Sequence, residues 1–243
     1  MAALVVTALA RRFGGVRALD GVSLEIAEGE RRAVIGPNGA GKTTLFNVLA
    51  GELAPTSGRV ELFGADVTGA RPWRIARRGL GRVYQRAELF PSLSVAENLE
   101  LALASRGAWH FRRDRGARTR IGGLLERVGL PGREDARPSG LSHGERRQLE
   151  VAVALAADPR VLLLDEPTAG MSPAETARIV ELIAALPRAL TLLVIEHDMD
   201  VVFRLADRIT VLHEGKVLAE GDPPTVRADA RVREVYLGAE ATA

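Results

Sequence analysis

Gly36-Pro37-Asn38-Gly39-Ala40-Gly41-Lys42-Thr43 follows the apolar run Ala33-Val34-Ile35 and opens a helical pattern that runs to Gly51. The octapeptide fits G-x-x-x-x-G-K-[ST] in the strand, loop and helix setting that this motif requires. Glycines let the backbone turn tightly enough for its N–H groups, with those of the helix start, to cradle phosphate oxygens. Lys42 would then reach the terminal phosphates and Thr43 would hold Mg²⁺. A Gly-rich turn that binds nothing is the alternative, and pattern and context together weigh against it.

Working outward, Val161-Leu162-Leu163-Leu164 ends in Asp165-Glu166. This is an apolar strand delivering two carboxylates at its carboxyl end, where α/β sheets bind ligands. Asp165 can organise Mg²⁺ and Glu166 can polarise an attacking water. Two acids after a strand are by themselves an ordinary turn; beside a phosphate loop they read as catalytic. A third buried run spans 192–195, and short β-branched runs alternate with longer helical patterns along the chain. That alternation predicts an α/β domain around a mainly parallel sheet. Weaker strand signals at 4–10, 22–26 and 60–63, separated by Gly-rich turns, predict an antiparallel flank near the start. The residues thus describe a P-loop nucleotide hydrolase. The Asn-Lys-x-Asp tetrapeptide that selects guanine is absent, since neither Lys42 nor Lys216 follows an asparagine, so adenine is favoured.

The 243 residues suffice for a hydrophobic core without staples, and 47% hydrophobic with 26% charged residues excludes fibrous and disordered classes. With no cysteine, disulfides, thiolate metal sites and cysteine nucleophiles drop out together. The longest apolar runs fall far short of the roughly 18–20 residues a bilayer span needs. Residues 1–10 read as strand, so no secretion signal is expected. A formal charge of +2, from 33 basic and 31 acidic residues, supports no general nucleic-acid field, and no nucleic-acid partner is expected.

Helix starts are legible at Ser94-Val95-Ala96-Glu97, a capping box, and at Ser172-Pro173-Ala174-Glu175, which adds proline at the first helical position. The arginine-rich, glycine-punctuated segment 105–120 is expected to be a solvated loop interrupting the helical stretch. A contact with lipid headgroups or a partner is the sharper reading of it. His110 and His213 fit no motif and are read as surface residues.

Leu141-Ser142-His143-Gly144-Glu145 lies between the two nucleotide motifs. Here the chain resembles the ATP-binding cassette family, whose signature is Leu-Ser-Gly-Gly-Gln. The resemblance runs from Phe13 to Tyr236-Leu237-Gly238, with six motifs in the family's order. It implies that Phe13 stacks on adenine, and that Gly36, Pro37, Asn38, Gly39, Ala40, Gly41, Lys42, Thr43 and Thr44 bind the nucleotide. Gln85, after Gly81-Arg82-Val83-Tyr84, matches the glutamine that senses Mg²⁺ and γ-phosphate and leads into the helical subdomain. His197, after the 192–195 run and Glu196, matches the switch histidine on γ-phosphate. A core phenylalanine, a surface glutamine and a strand-end histidine are the plainer readings of these three. Catalytic roles therefore fall to Glu166, His197 and Gln85, and metal contacts to Thr43, Gln85 and Asp165.

The signature departs from the family at His143 and Glu145 but keeps Ser142 and Gly144, a hydroxyl and a backbone N–H at a helix start, which phosphate recognition needs. Ser142 with Glu145 also reads as a capping box. The segment Ala169-Gly170-Met171-Ser172 departs from the usual Ser-Ala-Leu-Asp. The resemblance implies one cassette domain, with a nucleotide-binding core at 1–85 and 158–243 and a helical signature subdomain at 86–157. It also implies closure of each ATP site by Ser142 and Gly144 of a second cassette, identical or paralogous.

The same resemblance implies a peripheral ATPase on the cytoplasmic face of the cell membrane, partnered by integral permease subunits and a periplasmic or extracellular substrate-binding protein. Met171 in Pro167-Thr168-Ala169-Gly170-Met171, Ile195-Glu196-His197-Asp198-Met199 and the ending 232–238 look like the ATPases of branched-chain amino acid importers. Urea, amide and lipopolysaccharide transport remain alternatives; a soluble, non-transport cassette is disfavoured by the length.

Overall fold

The computed structural model describes residues 1–84, 89–104 and 115–240. A hairpin of β1 (Ala2–Phe13) and β2 (Val16–Ala27) leads to β3 (Arg31–Ile35) and α1 (Lys42–Leu49). β4 (Ser57–Leu62), β5 (Ala65–Asp66), α2 (Pro72–Arg77) and β6 (Leu80–Val83) follow. Three helices come next, α3 (Val95–Ala104), α4 (Arg115–Val128) and α5 (His143–Ala156). The chain then alternates β7 (Val161–Asp165), α6 (Pro173–Ala185), β8 (Thr191–Ile195), α7 (Met199–Leu205) and β9 (Arg208–His213). It ends with β10 (Lys216–Gly221), α8 (Pro223–Ala228) and α9 (Ala230–Glu240).

Two sheets result. The flank is antiparallel, in the order β2-β1-β4-β5, and the main sheet runs β10-β9-β3-β8-β7-β6, parallel except at its β10 edge. β3, β7 and β8 are buried at every residue, which explains their unbroken apolar sequences: both faces of the sheet are covered. Along β7, Leu162 and Leu164 enter a core with α3, α4, α5 and α6, whereas Val161 and Leu163 enter another with α1 and the flank. Replacing Leu163 by alanine should cost roughly 3–5 kcal/mol, the upper part of the range for buried leucines, because strands hydrogen-bonded on both sides cannot collapse into the gap. A lowered denaturant midpoint at unchanged slope would report it.

The capping boxes form where the sequence puts them. Ser94 N–H donates to Glu97 Oε2 at 2.7 Å and Glu97 N–H to Ser94 Oγ at 3.2 Å, and Ser172 with Glu175 repeats the pattern at α6. The expected loop at 105–120 needs correction. Residues 105–114 lie outside the described residues, but 115–120 are the first turns of α4. Ala117, Ile121, Leu125 and Val128 recur at helical spacing and are buried, so an apolar stripe overrides the charge run. Among the described residues no helix is long and apolar enough to cross a membrane.

Candidate functional site

β3, β8, β7 and β6 are parallel neighbours, so the turns leaving their carboxyl ends share one edge of the sheet. The phosphate-loop motif leaves β3. Gly41 is the N-cap of α1 with φ 101°, and a Cβ there would collide with the Ala18 carbonyl oxygen, so the turn requires glycine. The buried Lys42 folds back across the loop, its ammonium donating to the carbonyls of Gly36 at 2.6 Å and Pro37 at 3.0 Å. Burial lowers this ammonium below the ordinary lysine value, and the Glu166 and Asp165 carboxylates act in the opposite direction. The lysine and the two acids thus lie within electrostatic reach of one another. Thr43 is exposed in the first turn of α1, Thr44 is half-buried, and Asn38 and Gly39 lie at the exposed tip.

At the end of β7, the Asp165 carboxylate meets Arg82 of β6, Nη2 to Oδ2 at 2.9 Å. Burial pushes this carboxyl above its ordinary value, opposed by the hydrogen bond and charge of Arg82. Arg82 also donates to Asn47 Oδ1 at 2.8 Å and pairs with Glu52 at 3.1 Å, tying α1 to the site. Glu166 has φ 46°, a left-handed backbone rare for a residue with a Cβ, and its N–H donates to the Ile195 carbonyl at 3.0 Å. At the end of β8, buried Glu196 accepts from Thr168 Oγ1 at 2.7 Å and from the His197 N–H at 3.2 Å. One carboxylate thus braces both the turn after Glu166 and the backbone of His197, whose ring is exposed. Thr43 and Asp165 offer the hard oxygen donors suited to Mg²⁺. Among the described residues no group of three or more histidines, aspartates or glutamates could hold a metal ion. Gln85 lies outside the described residues.

Phe13 closes β1 with 44% of its surface exposed, and the Arg11 guanidinium stands 4.6 Å from its ring centre. It is not a core phenylalanine. His213, expected at the surface, is half-buried at the end of β9 and lines a groove with Pro37, Asn38, Arg231 and Glu234.

The signature residues open α5. Ser142 caps α5 in a complete capping box with Glu145, whose carboxylate also meets Arg133 at 2.7 Å. Gly144 N–H donates to Glu175 Oε1 at 3.2 Å, and a Cβ on Gly144 would sit 3.3 Å from that oxygen. The cleft at Ser142 and Gly144 is lined by residues of α5 and α6, including Gln148 and Arg178, and by none of the phosphate loop. Sequence reasoning missed four residues here: Arg82, Glu175, Glu196 and Arg147. Arg147 sits five positions beyond Ser142 and sends its guanidinium under the Asp165–Glu166 turn.

A family model described as ABC transporter matches residues 19–169, more than half of the chain. The chain belongs to the ABC transporter family. A second model, described as branched-chain amino acid ATP-binding cassette transporter, matches residues 216–242 of this ABC protein. The high-affinity branched-chain amino acid transport ATP-binding protein LivG of Salmonella typhimurium is 41% identical, covering 97% of each chain. The corresponding BraF of Pseudomonas aeruginosa is 38% identical over the same shares. A crystal structure of an ATP-binding cassette of an ABC transporter in its ADP conformation superposes with a TM-score of 0.88 at 31% identity, covering 98% of this chain and 99% of that one. This ABC protein is an ATP-hydrolysing transporter subunit with an α/β fold of mainly parallel sheet plus an antiparallel flank.

Proposed function

We propose that this ABC ATPase energises the import of branched-chain amino acids as one of two cassettes, identical or paralogous, on the cytoplasmic face of a membrane permease supplied by an external binding protein. The observation that carries the cargo is the match of the C-terminal segment to the branched-chain family, alongside full-length similarity to LivG and BraF. The chain would work as a nucleotide core, 1–85 and 158–243, and a helical part, 86–157.

The chemistry follows from the residues at the sheet edge. Lys42 exchanges the Gly36 and Pro37 carbonyls for phosphate oxygens, and the N–H groups of the loop and α1 take the rest of the anionic charge. Phe13 offers a ring face to the adenine. Thr43, Asp165 and Gln85 would hold Mg²⁺, which when bound neutralises charge on the phosphates. The Glu166 carboxylate accepts a proton from the attacking water, and His197 donates to the γ-phosphate. Ser142 and Gly144, whose cleft no phosphate-loop residue lines, close the site of the second cassette. To do so Gly144 must exchange the Glu175 carboxylate for phosphate. Closure of two such sites would move the permease, through Gln85 and the segment 89–99, and hydrolysis would reset it.

Uptake of labelled leucine by the source cells tests the cargo. Cells carrying Lys42→Ala protein at wild-type level should lose uptake once paralogous systems are deleted. Unchanged uptake would reject leucine and bring urea, amides or lipopolysaccharide forward.

A further inference from the structure

Arg147 is buried in the first half of α5, and each of its five N–H groups has an acceptor. Nε donates to the Pro167 carbonyl at 3.0 Å, and Nη2 to the carbonyls of Asp165 at 2.9 Å and Glu166 at 2.8 Å. Nη1 donates to the Tyr84 carbonyl at 2.6 Å and to Glu150 Oε2 at 2.8 Å. Three consecutive carbonyls of the turn after β7 therefore converge on one rigid, planar cation. The Asp165 and Glu166 carbonyls belong to the peptide planes on either side of the Glu166 Cα, and fixing both planes fixes its φ and ψ. That residue holds φ 46°, a conformation that persists only where its surroundings over-determine it.

We infer that Arg147 is a positioning residue: it holds the Glu166 turn in its left-handed conformation and makes that turn answer to the signature helix. The inference rests on the proposed role of Glu166 as proton acceptor. The same guanidinium holds the carbonyl of Tyr84, the residue before Gln85, so the start of α5, the base of the Gln85 segment and the Glu166 turn share one fastening. Ser142 caps the helix that carries Arg147. A shift of that helix on meeting a phosphate would be passed to the side chain that activates water. Lysine cannot substitute here, because one ammonium has three donors and no fork to span four carbonyls and a carboxylate.

The test compares Arg147→Lys, Glu166→Gln and the double variant in the full chain, reading ATP turnover and ATP affinity separately. For Arg147→Lys, kcat is expected to fall roughly 10–100-fold while ATP affinity stays within about threefold of wild type. The double variant should be no slower than Glu166→Gln alone, since both changes act on one group. Glu150→Gln, which weakens the hold on the guanidinium without touching the turn, supplies the second variant should Arg147→Lys fail to fold. Its kcat should fall about 2–5-fold at unchanged affinity. Wild-type kcat in Arg147→Lys beside an inactive Glu166→Gln would overturn this inference alone, and so would a multiplicative further loss in the double variant. Equal losses of kcat and affinity would reduce Arg147 to a structural residue. Full turnover in Glu166→Gln would overturn both this inference and the proposed proton acceptor.

Discussion

Glu166→Gln is expected to lower ATP turnover roughly 10²–10³-fold while leaving ATP binding within about threefold of wild type. The substitution is isosteric, and the main chain of this residue is held by its N–H to Ile195 and its carbonyl to Arg147, which the change leaves in place. The left-handed φ of 46° costs about 1–3 kcal/mol for either side chain, so the turn keeps its shape. What disappears is the carboxylate proposed to take the proton from water, a contribution worth roughly 10²–10⁴ in rate. A cassette that binds but does not cleave ATP should accumulate as a nucleotide-bound pair, visible by size-exclusion chromatography with ATP in the buffer. Wild-type turnover would remove Glu166 from the chemistry, and a parallel loss of ATP binding would make it a binding residue.

Lys42→Ala acts one step earlier, on affinity. A charge-assisted hydrogen bond contributes about 1.5–3 kcal/mol, and the ammonium can make two or three to phosphate. The gain on binding is smaller than that sum. In the free chain the ammonium already holds the Gly36 and Pro37 carbonyls, and those bonds are given up when it turns to the nucleotide. A net loss of about 2–3 kcal/mol, or roughly 30–150-fold in Kd, is expected in a direct ATP titration. An unchanged Kd would refute the phosphate-loop assignment at its central residue.

The strands and caps were legible because each rested on a short-range pattern. Uninterrupted leucines and valines meant a strand covered on both faces, and Ser94 with Glu97, Ser142 with Glu145 and Ser172 with Glu175 are three residues apart whatever the tertiary structure does. The loop Gly36 to Thr43 was legible for the same reason. The supporting residues were not, because their partners are distant in sequence. Arg82 and Asp165 are 83 positions apart, and Thr168 and Glu196 are 28 apart. Arg147 sits in Glu145-Arg146-Arg147-Gln148, which by composition looks like a solvated face; only the Leu149 and Val151 flanking it hint that part of this turn is inward. The arginines of 115–120 misled in the opposite sense. Their charge masked the spacing of Ala117, Ile121 and Leu125, and tertiary packing of that stripe decided the outcome.

The alternate leucines of β7 make the strand a stiff transmission shaft. Leu162 and Leu164 are gripped by the helical layer and Val161 and Leu163 by the layer around α1, with every one of them fully buried. Close-packed interiors have low compressibility, so a push on α3 or α5 cannot be absorbed as slack between side chains. The strand those helices press on is five residues long, and its last member is Asp165. If Asp165 works at the phosphates as proposed, torque on the helical layer would reach them with little lost play, the gearing that a motor of small strokes needs.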